Sequence, residues 1–190
     1  MREMGYRLIA LDIDGTIRSQ EYPLSVKTRQ TIANVLEAGA IVTVATGRMF
    51  KSARSNCLEL GITSPIVSSQ GAHISEPATE KVLWHRPLTA EQAQDALEAL
   101  GSSGLEVVGY YGDQVCVSKL TPRMEAYGER NQVTVNVVED LQEFAAKELT
   151  RLVVMGKENE IKGLEVELKI KFGFSLYITR SLPHFCEILH

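Results

Sequence analysis

The chain has 190 residues, of which 44% are hydrophobic and 23% charged, with a formal net charge of -4. That balance is ordinary for a soluble globular protein, and the length allows one large domain or two small ones. The mild acidity speaks against a nucleic-acid surface, which shows itself as a basic stripe or excess, and no apolar run is long enough to span a bilayer.

The N-terminal Met1-Arg2-Glu3-Met4 runs into a strand-like segment rather than the apolar core of a signal peptide. A cytoplasmic protein with a small-molecule partner is therefore expected, with neither nucleic acid nor membrane. Cys57, Cys116 and Cys186 lie far apart and lack metal-ligand spacing, as do His73, His85, His184 and His190. The thiols are expected to be reduced and buried.

In chain order, Tyr6–Asp12 is a short apolar run ending in an acid, the pattern of a buried strand that delivers a carboxylate to its C-terminal end. Pro23 and Ser25 introduce a helix over Lys27–Ala38, with Gly39 as its stop. Ile41–Ala45 is a second strand that runs into Thr46-Gly47-Arg48, and Phe50–Leu60 a second helix closed by Gly61. Pro65–Ser68 is a third strand. Strand, helix, strand, helix, strand with short links predicts a parallel sheet with right-handed crossovers, and ligands in such sheets sit at the carboxyl ends of strands.

From about Lys81 the rhythm changes. Lys81–His85 reads as a strand, Thr89 caps Ala90–Leu100 with Gln92 completing a capping box, and Leu105–Tyr110 with Gln114–Ser118 reads as a hairpin. Thr121-Pro122 opens a helix to about Asn131. A strand over Val133–Val138, a helix over Asp140–Ala146, a strand over Arg151–Met155 and a helix over Glu158–Phe172 follow. Strands over Phe174–Thr179 and Phe185–Leu189 end the chain. The mixture predicts an α+β sandwich, with a domain boundary near Glu80.

Asp12-Ile13-Asp14-Gly15-Thr16 places two carboxylates one residue apart where a strand releases the chain into a turn. A turn at Gly15 lets both approach one phosphoryl group. Asp12 can then attack phosphorus while Asp14 protonates the departing alkoxide, which splits hydrolysis into two easier steps through an aspartyl phosphate. A phosphate dianion repels a carboxylate, so a divalent cation with oxygen ligands is expected, and Mg²⁺ suits such ligands.

Asp12-x-Asp14-Gly15-Thr16 behind its hydrophobic strand resembles the first motif of the haloacid dehalogenase superfamily, and Val44-Ala45-Thr46-Gly47-Arg48 is similar to the second. The resemblance implies Asp12 as nucleophile and metal ligand. It implies Asp14 as general acid/base and metal ligand through its backbone carbonyl, and a phosphate oxygen held by the Thr46 hydroxyl and the Gly47 N–H. Arg48 could supply positive charge near the substrate. The Ala-Thr-Gly-Arg string, the Gly71-Ala72 turn and the Arg180-Ser181…Phe185-Cys186-Glu187-Ile188 segment resemble the Cof-like branch, in which Asn usually precedes Gly-Ala; this chain has Gln70. Members of that branch mostly hydrolyse sugar phosphates and related metabolites.

The implied fold is α/β, a Rossmann-like parallel-sheet core, incomplete here, over residues 1–80, with an inserted α+β cap over residues 81–190. Arg180, Ser181 and His184 sit where cap residues could face substrate, the alternative being ordinary surface or hairpin roles. The family's later lysine and its Gly-Asp-x-x-x-Asp-like acidic motif are not identifiable. The expected function is a Mg²⁺-dependent phosphatase of small phosphorylated metabolites with impaired turnover; the alternatives are a sugar phosphomutase and a non-catalytic phosphate-binding protein of the same fold. A strand edge left open beside Asp12 would be covered by a homo-oligomer, by elements exchanged between copies, or by a further segment.

Overall fold

The computed structural model describes residues 5–19, 24–101, 103–131 and 133–190. Pro23, expected to introduce the first helix, lies outside the described residues. The chain divides into two units, Met1–His85 and Arg86–His190.

In the first unit, β1 (Leu8–Leu11) pairs in parallel with β2 (Ile41–Val44), in a register that sets Leu8 opposite Ile41 and Leu11 opposite Val44. The connection is α1 (Val26–Glu37), whose orphan N–H at Thr28 is satisfied by the Ser25 side chain at 3.0 Å. Gly39, at φ +85, lets the chain leave the helix in a conformation that costs a side-chain-bearing residue energy. After β2 comes α2 (Phe50–Glu59), which buries Phe50, Ala53 and Cys57 against Val42, Val44, Ile62 and Ile66. This core holds β2 and α2 together by apolar burial, at about 1.5–3 kcal/mol for each large side chain.

The third strand departs from expectation. β3 (Ile66–Ser68) meets β2 through a single parallel bridge, Ala45 to Val67, and its ladder partner is β4 (His73–Ser75), which the sequence pattern did not reveal. The reason is the Ser69-Gln70-Gly71 turn, a 3-10 segment in which all three residues have positive φ and which turns the chain straight back on itself. β5 (Val82–His85), placed in the second domain on pattern, pairs antiparallel with β4 in the first unit. The division thus falls after His85 rather than near Glu80. Among the described residues β1 has β2 as its one partner, and Tyr6 and Leu8 are 81% and 59% exposed.

The second unit is a six-stranded sheet in the order β10-β11-β9-β6-β7-β8. Its strands are β6 (Glu106–Tyr111), β7 (Gln114–Val117), β8 (Thr134–Val137), β9 (Arg151–Met155), β10 (Tyr177–Leu182) and β11 (Phe185–Leu189). All neighbours are antiparallel except β7 and β8, which α4 (Pro122–Asn131) connects. The helices α3 (Ala90–Leu100), α5 (Leu141–Phe144) and α6 (Glu158–Phe172) contribute Leu97, Leu141 and Leu164 to one core with Leu152, Val154, Cys186 and Ile188 of the sheet. At the start of α3 the expected capping box is formed: Thr89 Oγ accepts from Gln92 N at 3.1 Å and Gln92 Oε1 from Thr89 N at 3.0 Å. β10 begins at Tyr177 rather than Phe174, because the Phe172 carbonyl accepts from both Ser175 N and Leu176 N at 2.8 Å and prolongs the end of α6.

Candidate active site

The site stands at the C-terminal ends of β1 and β2. The ladder continues one bond past the strands, with Ala45 N donating to the Leu11 carbonyl at 2.9 Å, which brings Asp12 beside the Ala45-Thr46 segment. Ile13 is 0% exposed and anchors the chain in the core, so the residues on either side, Asp12 and Asp14, turn outward and both are exposed. That alternation is what places two carboxylates on one side of a turn. Gly15, at φ +76, then reverses the chain, and its N–H reaches the Arg18 carbonyl at 2.7 Å while Arg18 N returns to the Ile13 carbonyl at 3.0 Å.

The second loop is held from behind. Thr46, 7% exposed, donates its N–H to the Val67 carbonyl at 3.0 Å, and its Oγ accepts from Arg48 N at 3.2 Å, which leaves the hydroxyl hydrogen to offer to an incoming oxygen. Ser69 N donates to the Arg48 carbonyl at 2.8 Å and Gln70 N to the Thr46 carbonyl at 3.3 Å, so the β3–β4 turn clamps the loop. A Cβ on Gly47 would stand 2.7 Å from Gln70 Nε2. A side chain at 47 would have to displace the Gln70 carboxamide.

Arg48 joins the two loops. Its Nε and Nη2 donate to Asp14 Oδ2 and Oδ1, each at 2.7 Å, a bidentate pair of the strong, directional kind. The Arg48 hydrogen bonds, outweighing partial burial that acts the other way, together with the charges of Arg48 and Arg18 hold the Asp14 carboxyl below its ordinary range. In this arrangement Asp14 is a carboxylate, fit to accept a proton; to donate one it must first release the guanidinium.

Helix α2 positions both arginines: Ser52 Oγ accepts from Arg48 Nη1 at 3.3 Å, and Asn56 Oδ1 from Arg18 Nη1 at 3.0 Å. Asn56 is 5% exposed and is itself tied to the Ser52 carbonyl at 3.0 Å. Arg18, Ser52, Asn56 and Gln70 were not among the residues singled out from sequence. Ser52 and Asn56 did leave a trace there, as polar residues one turn apart on a helix directly after Thr46-Gly47-Arg48.

Of the residues expected to contact substrate from the second domain, Arg180 and His184 have partners within it. Arg180 Nε donates to Glu165 Oε2 of α6 at 2.6 Å, and the same carboxylate receives Lys169 Nζ at 2.7 Å. Ser181 is exposed on β10, and the His184 ring packs on Phe185 with centroids 4.5 Å apart.

The donor set suits a hard divalent cation. It offers the exposed Asp12 carboxylate and the Asp14 backbone carbonyl, and such ions are commonly held by one or two carboxylates, waters and substrate phosphate rather than by an all-protein cage. Among the described residues no group of three or more His, Cys, Asp or Glu side chains is gathered for a metal.

A family model described as haloacid dehalogenase-like hydrolase matches residues 9–190. The chain is 26% identical over 170 residues to the 5-amino-6-(5-phospho-D-ribitylamino)uracil phosphatase YitU of Bacillus subtilis, covering 83% of this chain and 58% of that protein. It is 27% identical over 189 residues to the HMP-PP phosphatase of Serratia proteamaculans, covering 97% of this chain and 67% of that one. Among solved structures, a haloacid dehalogenase-like hydrolase from Bacteroides thetaiotaomicron superposes with a TM-score of 0.84 at 22% identity, covering 97% of this chain and 71% of its own. A protein of Thermotoga maritima gives 0.81 at 24%, covering 97% and 69%. The chain thus spans little more than half to about two thirds of the length of these two curated relatives. It belongs to the haloacid dehalogenase-like hydrolase family.

Proposed function

We propose that the protein is a phosphatase of small phosphomonoesters that works through an aspartyl phosphate on Asp12. The observation that carries this reading is the outward turn of Asp12 and Asp14 about the buried Ile13, beside a loop whose Thr46 hydroxyl and Gly47 N–H can hold a phosphoryl oxygen. An Asp12 carboxylate oxygen attacks phosphorus, the ester P–O bond breaks, and the departing alkoxide takes a proton from Asp14. Water then attacks the phosphorus of the aspartyl phosphate, Asp14 takes the water proton, and inorganic phosphate leaves as the Asp12 carboxylate is restored. Mg²⁺, held by Asp12 and the Asp14 carbonyl, would supply the positive charge that offsets repulsion between the Asp12 carboxylate and the phosphate dianion.

Arg48 has two anions to serve. In the structure it clasps Asp14, and an incoming phosphate competes for the same guanidinium. Transfer of Arg48 to the phosphate would free Asp14 for proton donation. The relatives named for phosphorylated ribityl and HMP compounds support a small organic phosphate, a sugar phosphate or related metabolite, as substrate.

The test is Mg²⁺-dependent phosphate release from an aryl phosphate by the purified chain and by Asp12→Asn. Turnover that falls to background in Asp12→Asn supports the mechanism. Equal turnover in both would overturn the nucleophile assignment. If both are inactive while both are folded and bind phosphate, the chain is a phosphate-binding protein rather than a phosphatase.

A further inference from the structure

Arg18 closes the turn that presents the two carboxylates, and it is fixed there at three points. Its N–H donates to the Ile13 carbonyl at 3.0 Å, its carbonyl accepts from Gly15 N at 2.7 Å, and its Nη1 donates to Asn56 Oδ1 at 3.0 Å. A backbone bridge also sets Arg18 beside Asp14. Asn56 is 5% exposed and stands one turn along α2 from Ser52, the residue that holds Arg48, so one helix braces both guanidinium groups. The Asp14 carboxyl feels the charge of each.

Arg29, Arg48, Arg54, Arg151 and Arg180 each pair with a carboxylate. Arg18 is exposed and does not: among the described residues its guanidinium has the neutral Asn56 amide as partner, and its Nε and Nη2 have none. Satisfying Asn56 takes one N–H and leaves the charge and the other donors unused. A neutral partner orders the side chain without neutralising it. A guanidinium so held, with N–H groups to offer, is the form of arginine that recognises carboxylate and phosphate through paired hydrogen bonds.

We propose that Arg18 is a specificity residue that binds a second anionic group of the substrate, a carboxylate or a further phosphoryl group, while Thr46, Gly47 and Arg48 engage the phosphoryl group that is transferred. The inference rests on the phosphatase reading of this site and narrows its substrates to phosphomonoesters that carry another acidic group. The division follows from charge: Arg48 is matched by Asp14, whereas the Arg18 charge is open to a ligand.

The measurement is calorimetric titration of the full chain in MgCl₂ with three non-hydrolysable ligands. Methylphosphonate has the phosphoryl-like group alone, phosphonoacetate adds a carboxylate, and methylenediphosphonate adds a second phosphonate. Wild type should bind at least one of the latter two about tenfold more tightly than methylphosphonate, the increment of one charge-assisted pair. Arg18→Gln keeps an amide donor for Asn56 but removes the charge, so it should lose that preference and bind methylphosphonate within about twofold of wild type. Arg18→Lys keeps the charge without the paired geometry and should keep only part of the preference; it decides by the same comparison if Arg18→Gln does not fold. Thr46→Val, which removes a hydroxyl of the phosphate loop itself, is the control.

A preference that vanishes in Arg18→Gln while methylphosphonate still binds supports the assignment, and the ligand that gained names the group. Wild type that binds all three alike, or Arg18→Gln that keeps the preference, overturns it while the phosphatase reading stands. If Arg18→Gln loses all three ligands together, Arg18 holds the loop in place rather than reading a second group, and the proposal fails. If wild type binds none of them, or Thr46→Val binds methylphosphonate as well as wild type does, the phosphate-binding reading falls and the proposal with it.

Discussion

Replacing Glu187 by alanine should destabilise the second unit more than any surface change, because it strands a buried cation. Arg151 Nη1 and Glu187 Oε2 are 2.7 Å apart, and each side chain is 5% exposed. Leu152 and Val154 of β9 point into the apolar core, so Arg151 faces the opposite side of the sheet. There its guanidinium lies 4.3 Å from the Tyr110 ring centroid, and the Tyr110 hydroxyl bonds that of Tyr127 at 2.6 Å. Among the described residues, Arg151 Nε has no hydrogen-bond partner. Without Glu187 the charge keeps, among those residues, the Tyr110 ring face, worth about 2 kcal/mol or less, and that contact is present before and after the change. The expected loss is about 3–5 kcal/mol.

The double variant Arg151→Met/Glu187→Leu removes both charges at similar volume and should return to within about 1 kcal/mol of wild type or exceed it. Urea denaturation followed by circular dichroism gives the magnitude, and hydrogen exchange at the amides of β9 and β11 assigns it to this sheet. A single variant within about 1 kcal/mol of wild type, or a double variant as unstable as the single, would refute the reasoning.

Other expectations follow from individual contacts. The Asp14 carboxyl is held below its ordinary value of 3.8, so its pairing adds stability above the unfolded pKa and loses it as pH falls through the lower folded one. Because the Asp14 side chain is 56% exposed, the pair is worth about 1 kcal/mol or less. In Arg48→Met the Asp14 titration, followed by carboxyl NMR in metal-free buffer, should move up; an unchanged midpoint would disprove the pairing. Ile13→Ala should cost about 2–5 kcal/mol and free the loop between Asp12 and Asp14, read as lower stability with weaker phosphate binding. Burial pushes the Cys57 and Cys186 thiols up to about 12, so alkylation at pH 8 should be slower than for an ordinary thiol by about a thousandfold, recovering in urea. Gly128→Ala should destabilise by about 1–3 kcal/mol, because its Cβ would stand 2.9 Å from Val135 Cγ2 and 3.1 Å from the Val133 carbonyl; an unchanged melting temperature would contradict the close packing of α4 on β8.

Much of this molecule was legible before folding, because local rules wrote it. Helix α3 with its Thr89/Gln92 box and strand β9 match their sequence patterns residue for residue, since capping and apolar periodicity act over a few positions. The Asp12-Ile13-Asp14-Gly15 turn is likewise local: an apolar residue between two acids, then a glycine, already implies the outward carboxylates. What sequence could not supply was partnership. β4 is only three residues long, too short for alternation to register, and β5 reads equally well on either side of the boundary until its ladder to β4 is seen. That Arg48 clasps Asp14, that Asn56 braces Arg18, and that Arg180 is taken by Glu165 depend on side chains from 15 to 38 positions apart meeting in space. Such meetings are fixed by packing and charge, which carry no sequence period. The chain's own pattern determined the strand ends and the residue types delivered to them, and the tertiary structure alone decided which charges were paired there.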